Sequence, residues 1–113
     1  MLVYPGVTLG ATGNSSPLVL YSPSAVTVGE ILGPTIVSLG LSCVLSAGAS
    51  LTYTVQLTCD PPNGTITNWF NHDTLVSLTG SQYAAVIYPV SAVRLNVSVW
   101  ASGTVTLGMV QWP

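Results

Sequence analysis

At 113 residues with 49% hydrophobic side chains, the chain is long enough for one domain with its own core, without help from a metal or a disulfide. Only Glu30, Asp60, Asp73 and Arg94 are charged, 4% of the residues with a net charge of −2, against roughly 25% in an ordinary soluble domain. One basic residue all but excludes nucleic acid as a partner, because phosphate binding needs several Lys or Arg to displace counterions, and a polybasic hold on a membrane fails for the same reason.

Residues 1–6 lack the positive start and apolar run of a signal peptide. No uninterrupted apolar stretch approaches the roughly 18 residues of a membrane helix. Neither secretion by that route nor a membrane partner is therefore expected. Residues 1–34 carry short apolar pieces (Val7 to Leu9, Leu18 to Tyr21, Ala25 to Val28) between Gly- and Pro-rich stretches. They read either as an extended arm that packs on a neighbour or as edge strands, where proline is tolerated.

Thr35 to Leu45 is almost continuously apolar, which predicts a strand covered on both faces. Leu51, Tyr53, Val55, Leu57 and Cys59 alternate with Thr52, Thr54, Gln56 and Thr58, so a half-buried strand follows. A turn at Ala47-Gly48-Ala49 would make the two a hairpin. In that register Cys43 and Cys59 stand about six residues apart along the strands, roughly 20 Å, beyond the reach of a disulfide. Both are expected as buried thiols.

Asp60-Pro61-Pro62-Asn63-Gly64 is a turn on several counts. Thr65 to Phe70 and Tyr83 to Tyr88 read as short strands. Between them lie Asn71-His72-Asp73, the stretch Thr74 to Leu78 and a turn at Thr79-Gly80-Ser81. Val93, Leu95, Val97 and Val99 then alternate with Arg94, Asn96 and Ser98; Val105, Leu107 and Met109 alternate with Thr104, Thr106 and Gly108. With Ala101-Ser102-Gly103 between them, a second hairpin is predicted, closed by a left-handed glycine, with Val99 opposite Val105 and Leu95 opposite Met109. No window sustains the 3.6-residue period of a helix beyond one turn at His72-Asp73-Thr74. The pattern predicts an all-β fold: a single antiparallel β-sandwich or jelly roll over residues 1–113, of seven to nine short strands with little or no helix. Charged guards on the sheet edges are missing, so something is expected to cover those edges.

Chemistry-bearing residues are sparse. His72-Asp73 does not make a Ser-His-Asp triad, which needs a carboxylate reaching the imidazole from elsewhere and a nucleophile elbow that this chain lacks. A loop with Asp73 capping a short turn is the expectation. One His, two distant Cys and three scattered acids offer no metal-ligand spacing, so no metal, no cofactor and no catalytic residue is expected. Arg94 is either a solvated strand residue or a fork onto Asp73, Asp60 or Glu30. Trp69, Trp100 and Trp112 lie near strand ends, Trp100 on the polar face of the predicted hairpin. Together with Arg94 they are the candidate interface residues.

The runs WFNHDTLVSLTGSQ (69–82) and YPVSAVRLNVSVWASGTVTLGMVQ (88–111) resemble the C-terminal half of small all-β virion proteins of tailed bacteriophages. The nearest image is the cement or decoration protein on the outside of a phage head. The resemblance implies a non-enzymatic structural protein, made in the host cytoplasm and placed on the outer surface of the capsid. Its partners would be the major capsid protein and further copies of itself, as a dimer or trimer. The alternative is a carbohydrate- or receptor-binding module of a phage tail or fibre that uses outward tryptophans.

Overall fold

A computed structural model describes residues 2–19, 38–60, 66–87 and 90–112, with the backbone alone at Leu2 and Trp112. Among these residues nine strands appear in chain order: β1 (Leu2–Leu9), β2 (Gly13–Asn14), β3 (Leu18–Val19), β4 (Ser38–Leu45), β5 (Ser50–Thr58), β6 (Phe70–Asn71), β7 (Gln82–Val86), β8 (Ala92–Ser102) and β9 (Val105–Trp112). They form two antiparallel sheets. Sheet I runs β1-β9-β4-β7; sheet II runs β2-β8-β5-β6, with β3 also on β8. The fold is an antiparallel β-sandwich, with no helix among the described residues.

Neither predicted hairpin exists. β4 pairs with β9 and β7, and β5 pairs with β8 and β6, so the chain crosses from one sheet to the other at 46–49 and again at 103–104. Met109 stands beside Leu41 and Tyr4, not Leu95; Leu95 stands beside Val55. The physical reason is burial. A hairpin would line both apolar faces on one sheet, with nothing opposite. Crossing over sets them against each other, about 10 Å apart. Leu39, Leu41, Cys43, Leu107 and Met109 from sheet I meet Tyr53, Val55, Leu57, Leu95 and Val97 from sheet II in one core. Leu95 and Leu107 are fully buried, each worth about 1.5–3 kcal/mol relative to exposure.

The two crossovers are bonded together at one end of the sandwich. Ser46 N–H donates to Thr104 O (2.9 Å) and Thr104 N–H to Ser46 Oγ (2.9 Å). Gly103 adopts φ 83 there. The left-handed glycine is thus as expected, but it turns a corner and not a hairpin.

Further expectations are corrected. β4 is covered on its inner face only; on the outer face Val44 is 56% exposed. Of the strand read at 65–70, Thr65 lies outside the described residues and only Phe70 pairs, with Asn71 as β6. The stretch 74–78 is a bend fastened by a bridge between Leu78 and Tyr53. Of the segment read as arm or edge strands, residues 2–19 form β1 at the edge of sheet I and β2 and β3 against β8; residues 20–34 lie outside the described residues.

Cys43 is buried as expected, but Cys59 is exposed, and no disulfide joins them. The Cys43 side chain meets Tyr53 across the core, and burial pushes its thiol up from 9.0 to about 11, partly offset by that hydrogen bond. Burial, then Cys43, raises the Tyr53 hydroxyl as well; it donates to Gly80 O at 2.7 Å. Between the ordinary thiol value and the raised one, the folded chain holds a proton that the unfolded chain releases. Stability is therefore full below pH 9 and falls as the pH approaches 11. The thiolate is the nucleophile, so alkylation by iodoacetamide at pH 8 should label Cys59 alone in the native protein and both thiols in urea. Equal labelling of Cys43 in the native protein would contradict the packing.

Candidate interaction surfaces

The outer face of sheet II is set by strand register. Gln56 of β5 lies between Arg94 of β8 and Asn71 of β6, and Asn96 lies beside Asn14. Side chains that point the same way from paired positions are close enough to bond. Arg94 Nε donates to Gln56 Oε1 (2.8 Å), Gln56 Nε2 to Asn71 Oδ1 (3.1 Å), and Asn96 Nδ2 to Asn14 Oδ1 (2.7 Å). The Arg94 guanidinium lies over the Trp69 ring, 4.2 Å from its centroid, a contact worth about 0.5–2 kcal/mol. Partial burial moves the Arg94 pKa down. Of the two readings of Arg94, the fork onto a carboxylate is not made to Asp60 or Asp73 among the described residues, and Glu30 lies outside them.

Trp69 is held in place from Asp60. That carboxylate accepts the backbone N–H groups of Asn68 (2.8 Å) and Thr67 (2.9 Å). These bonds, that of Asn68 first, hold its pKa below the ordinary carboxylate value. Phe70, the next residue after Trp69, is 61% exposed.

The structure brings two of the four candidate interface residues together, Trp69 and Arg94. Trp100 is six residues from Arg94 along β8, roughly 20 Å at strand rise. It is also on the other face. A register shift between Thr52 and Tyr53, with Val99 opposite Thr52 and Val97 opposite Tyr53, leaves Ser98 as an extra residue. Beyond that bulge the alternation inverts. Val99, read as inward, is 60% exposed, and Trp100 pairs with inward Leu51 at the end of the sandwich, 42% exposed. Its Nε1 donates to Gly103 O at 2.9 Å. Trp112 ends β9 in sheet I, and its side chain lies outside the described residues.

His72, not Asp73, caps the turn after β6. Its Nδ1 accepts the N–H groups of Thr74 and Leu75, both at 3.1 Å, and so carries no proton; Nε2–H then donates to Ala85 O at 3.1 Å. Asp73 is 82% exposed, 3.3 Å from Nδ1. With both ring nitrogens taken by backbone, the buried imidazole has none to offer a substrate. Among the described residues no three His, Cys, Asp or Glu side chains cluster.

No protein-family model and no curated protein sequence matches this chain. Among solved structures it is similar to a protein described under "Bacillus endospore appendages form a novel family of disulfide-linked pili", with TM-score 0.41 and 13% identity over 96% of this chain and 84% of that one. A likeness that loose carries no function across.

A second surface was not anticipated from the residues. On the outer face of sheet I, Val3, Val110, Gly40 and Ala85 form one cross-strand row, and Gly108, Ser42 and Tyr83 the next. Gly40 and Gly108, beside Val110 and Ser42 on the two central strands and with Val3 and Tyr83 at the margins, leave a groove of about 380 Å³ with no charged residue in its lining. Tyr83 at its rim is 81% exposed and Val3 68%. The only trace in the sequence is glycine at an outward position of two strands, 68 residues apart (108 − 40).

The sheet edges carry uncharged guards. β1 contains Pro5 and a register break between Tyr4 and Val7; β6 has two residues; β7 has its Ala85 carbonyl occupied by His72. Proline, bulges and short strands each discourage pairing with another chain.

Proposed function

We propose that this chain is a non-enzymatic structural protein of a bacteriophage virion that cements the capsid by bridging adjacent major capsid subunits. The observation that carries it is the surface. Asp60 and Arg94 are turned to partners within the fold, leaving Asp73 as the one highly exposed charge among the described residues. Val3, Val19, Val44, Phe70, Val76, Tyr83, Ile87, Val99 and Trp100 are exposed. Such a surface is poorly protected against association in water and suits a protein largely covered by partners. The two stretches that resemble phage virion proteins support the same reading. They supply β6, the His72 turn, β8 and β9.

The capsid contact is the outer face of sheet II around Trp69 and Arg94, two of the side-chain types that dominate protein interfaces. Binding acts by mass action, raising the free energy needed to separate capsid subunits. Co-sedimentation of the purified chain with phage heads stripped of it is the test. Saturation at a fixed ratio to the capsid protein and a higher disruption temperature are expected, with at least a tenfold weakening for Trp69→Ala. Absence of binding to heads, or a shift of Trp fluorescence on titration with glycans, would overturn the reading.

A further inference from the structure

From the outer face of sheet I we infer that this chain forms a two-fold dimer in which the sheets pack face to face and Tyr83 of each copy enters the Gly40–Gly108 groove of the other. The occupant follows from three properties of the face. It carries its own knob and hole side by side, since Tyr83 is paired with Ser42, which lies beside Gly108. In a two-fold interface the same patch meets itself, so a patch that holds both halves of the fit is satisfied once per copy. The groove lining is uncharged, so superposing like on like brings no repulsion, whereas a charged partner would find no counter-charge.

Area is the third property. Three strands about 27 Å long and β7 of about 17 Å, about 4.8 Å apart, cover roughly 500 Å² at full overlap. Two copies bury roughly 1,000 Å², the lower end for a specific interface. An interface at that lower end suits a weak dimer, with monomer present on dilution. Sheet II faces outward in this arrangement, so a dimer presents two copies of the Trp69–Arg94 surface on opposite sides.

Sedimentation equilibrium of the full chain tests this without any capsid. A dimer at about 100 µM is expected. Tyr83→Lys, which adds a charge to the knob, and Ser42→Trp, which fills the hole, should each raise the dissociation constant at least tenfold with little change in melting temperature. Ser98→Lys on the outer face of sheet II should leave it within twofold. A chain that stays monomeric at several hundred µM, a trimer, or a dimer indifferent to both sheet I variants overturns the inference. Failure here leaves the capsid reading standing on sheet II, and failure to bind heads leaves the dimer standing.

Discussion

Replacing Gly103 with Ala should cost about 3 kcal/mol of stability, whereas Gly48→Ala should cost about 1 kcal/mol. Both glycines adopt left-handed backbone, φ 83 and φ 74, so both variants meet the same penalty on φ. They differ in surroundings. A Cβ on Gly103 would lie 2.4 Å from Ala49 Cβ, 2.6 Å from Ala49 Cα and 2.9 Å from Ser46 Oγ, while one on Gly48 would meet nothing within 4 Å. Ala49 Cα is backbone and cannot turn aside, so the corner has to open, straining the Ser46–Thr104 bonds that join the two crossovers. Forcing extra atoms into a packed site typically costs about 1–3 kcal/mol. Urea unfolding of the two variants measures the difference. Adding Ala49→Gly to the Gly103 variant removes the nearest contact but not the Cα, so partial recovery is expected. Equal losses for the two glycine variants would mean that the corner is loose.

That corner also shows what was legible in the chain. The alternation of Val93, Leu95 and Val97, and of Val105, Leu107 and Met109, correctly marks which side chains are buried. Period two says that one face of a strand is covered; it does not say what covers it. A short glycine-ended connection serves a hairpin or a crossover equally well, and only the need to oppose two apolar faces separates them. The bulge at Ser98 left no trace, because Val99 continues the same alternation on paper. Trp69 and Arg94 were each recognisable as interface candidates, but their stacking depends on β6 lying beside β5 and β5 beside β8. Gly40 and Gly108 form a groove only because β9 and β4 are neighbours, a fact of sheet order that neither segment carries alone.

His72→Ala should lose about 3–4 kcal/mol, and His72→Asn about 1 kcal/mol, because an Asn Oδ1 can stand where Nδ1 accepts. The imidazole is 2% exposed, and removing it orphans the N–H of buried Leu75, at about 1–3 kcal/mol for a buried donor, gives the N–H of exposed Thr74 to solvent and leaves a cavity where the ring packed. Hydrogen exchange at those two amides gives a local readout: protected in the parent and the Asn variant, fast in the Ala variant. Equal damage from Asn and Ala would show that ring packing, not capping, is what His72 contributes. The bond from Nε2 to Ala85 O has a separate consequence, since it covers the edge of β7 while Tyr83 and Ile87 beside it are exposed. Both His72 variants free that carbonyl and leave an uncharged, aromatic edge open to another strand. The Ala variant should therefore aggregate from the folded state faster than Gly103→Ala, although the two lose similar stability. Equal aggregation at equal stability would reduce His72 to a turn cap, and β7 would then need another guard.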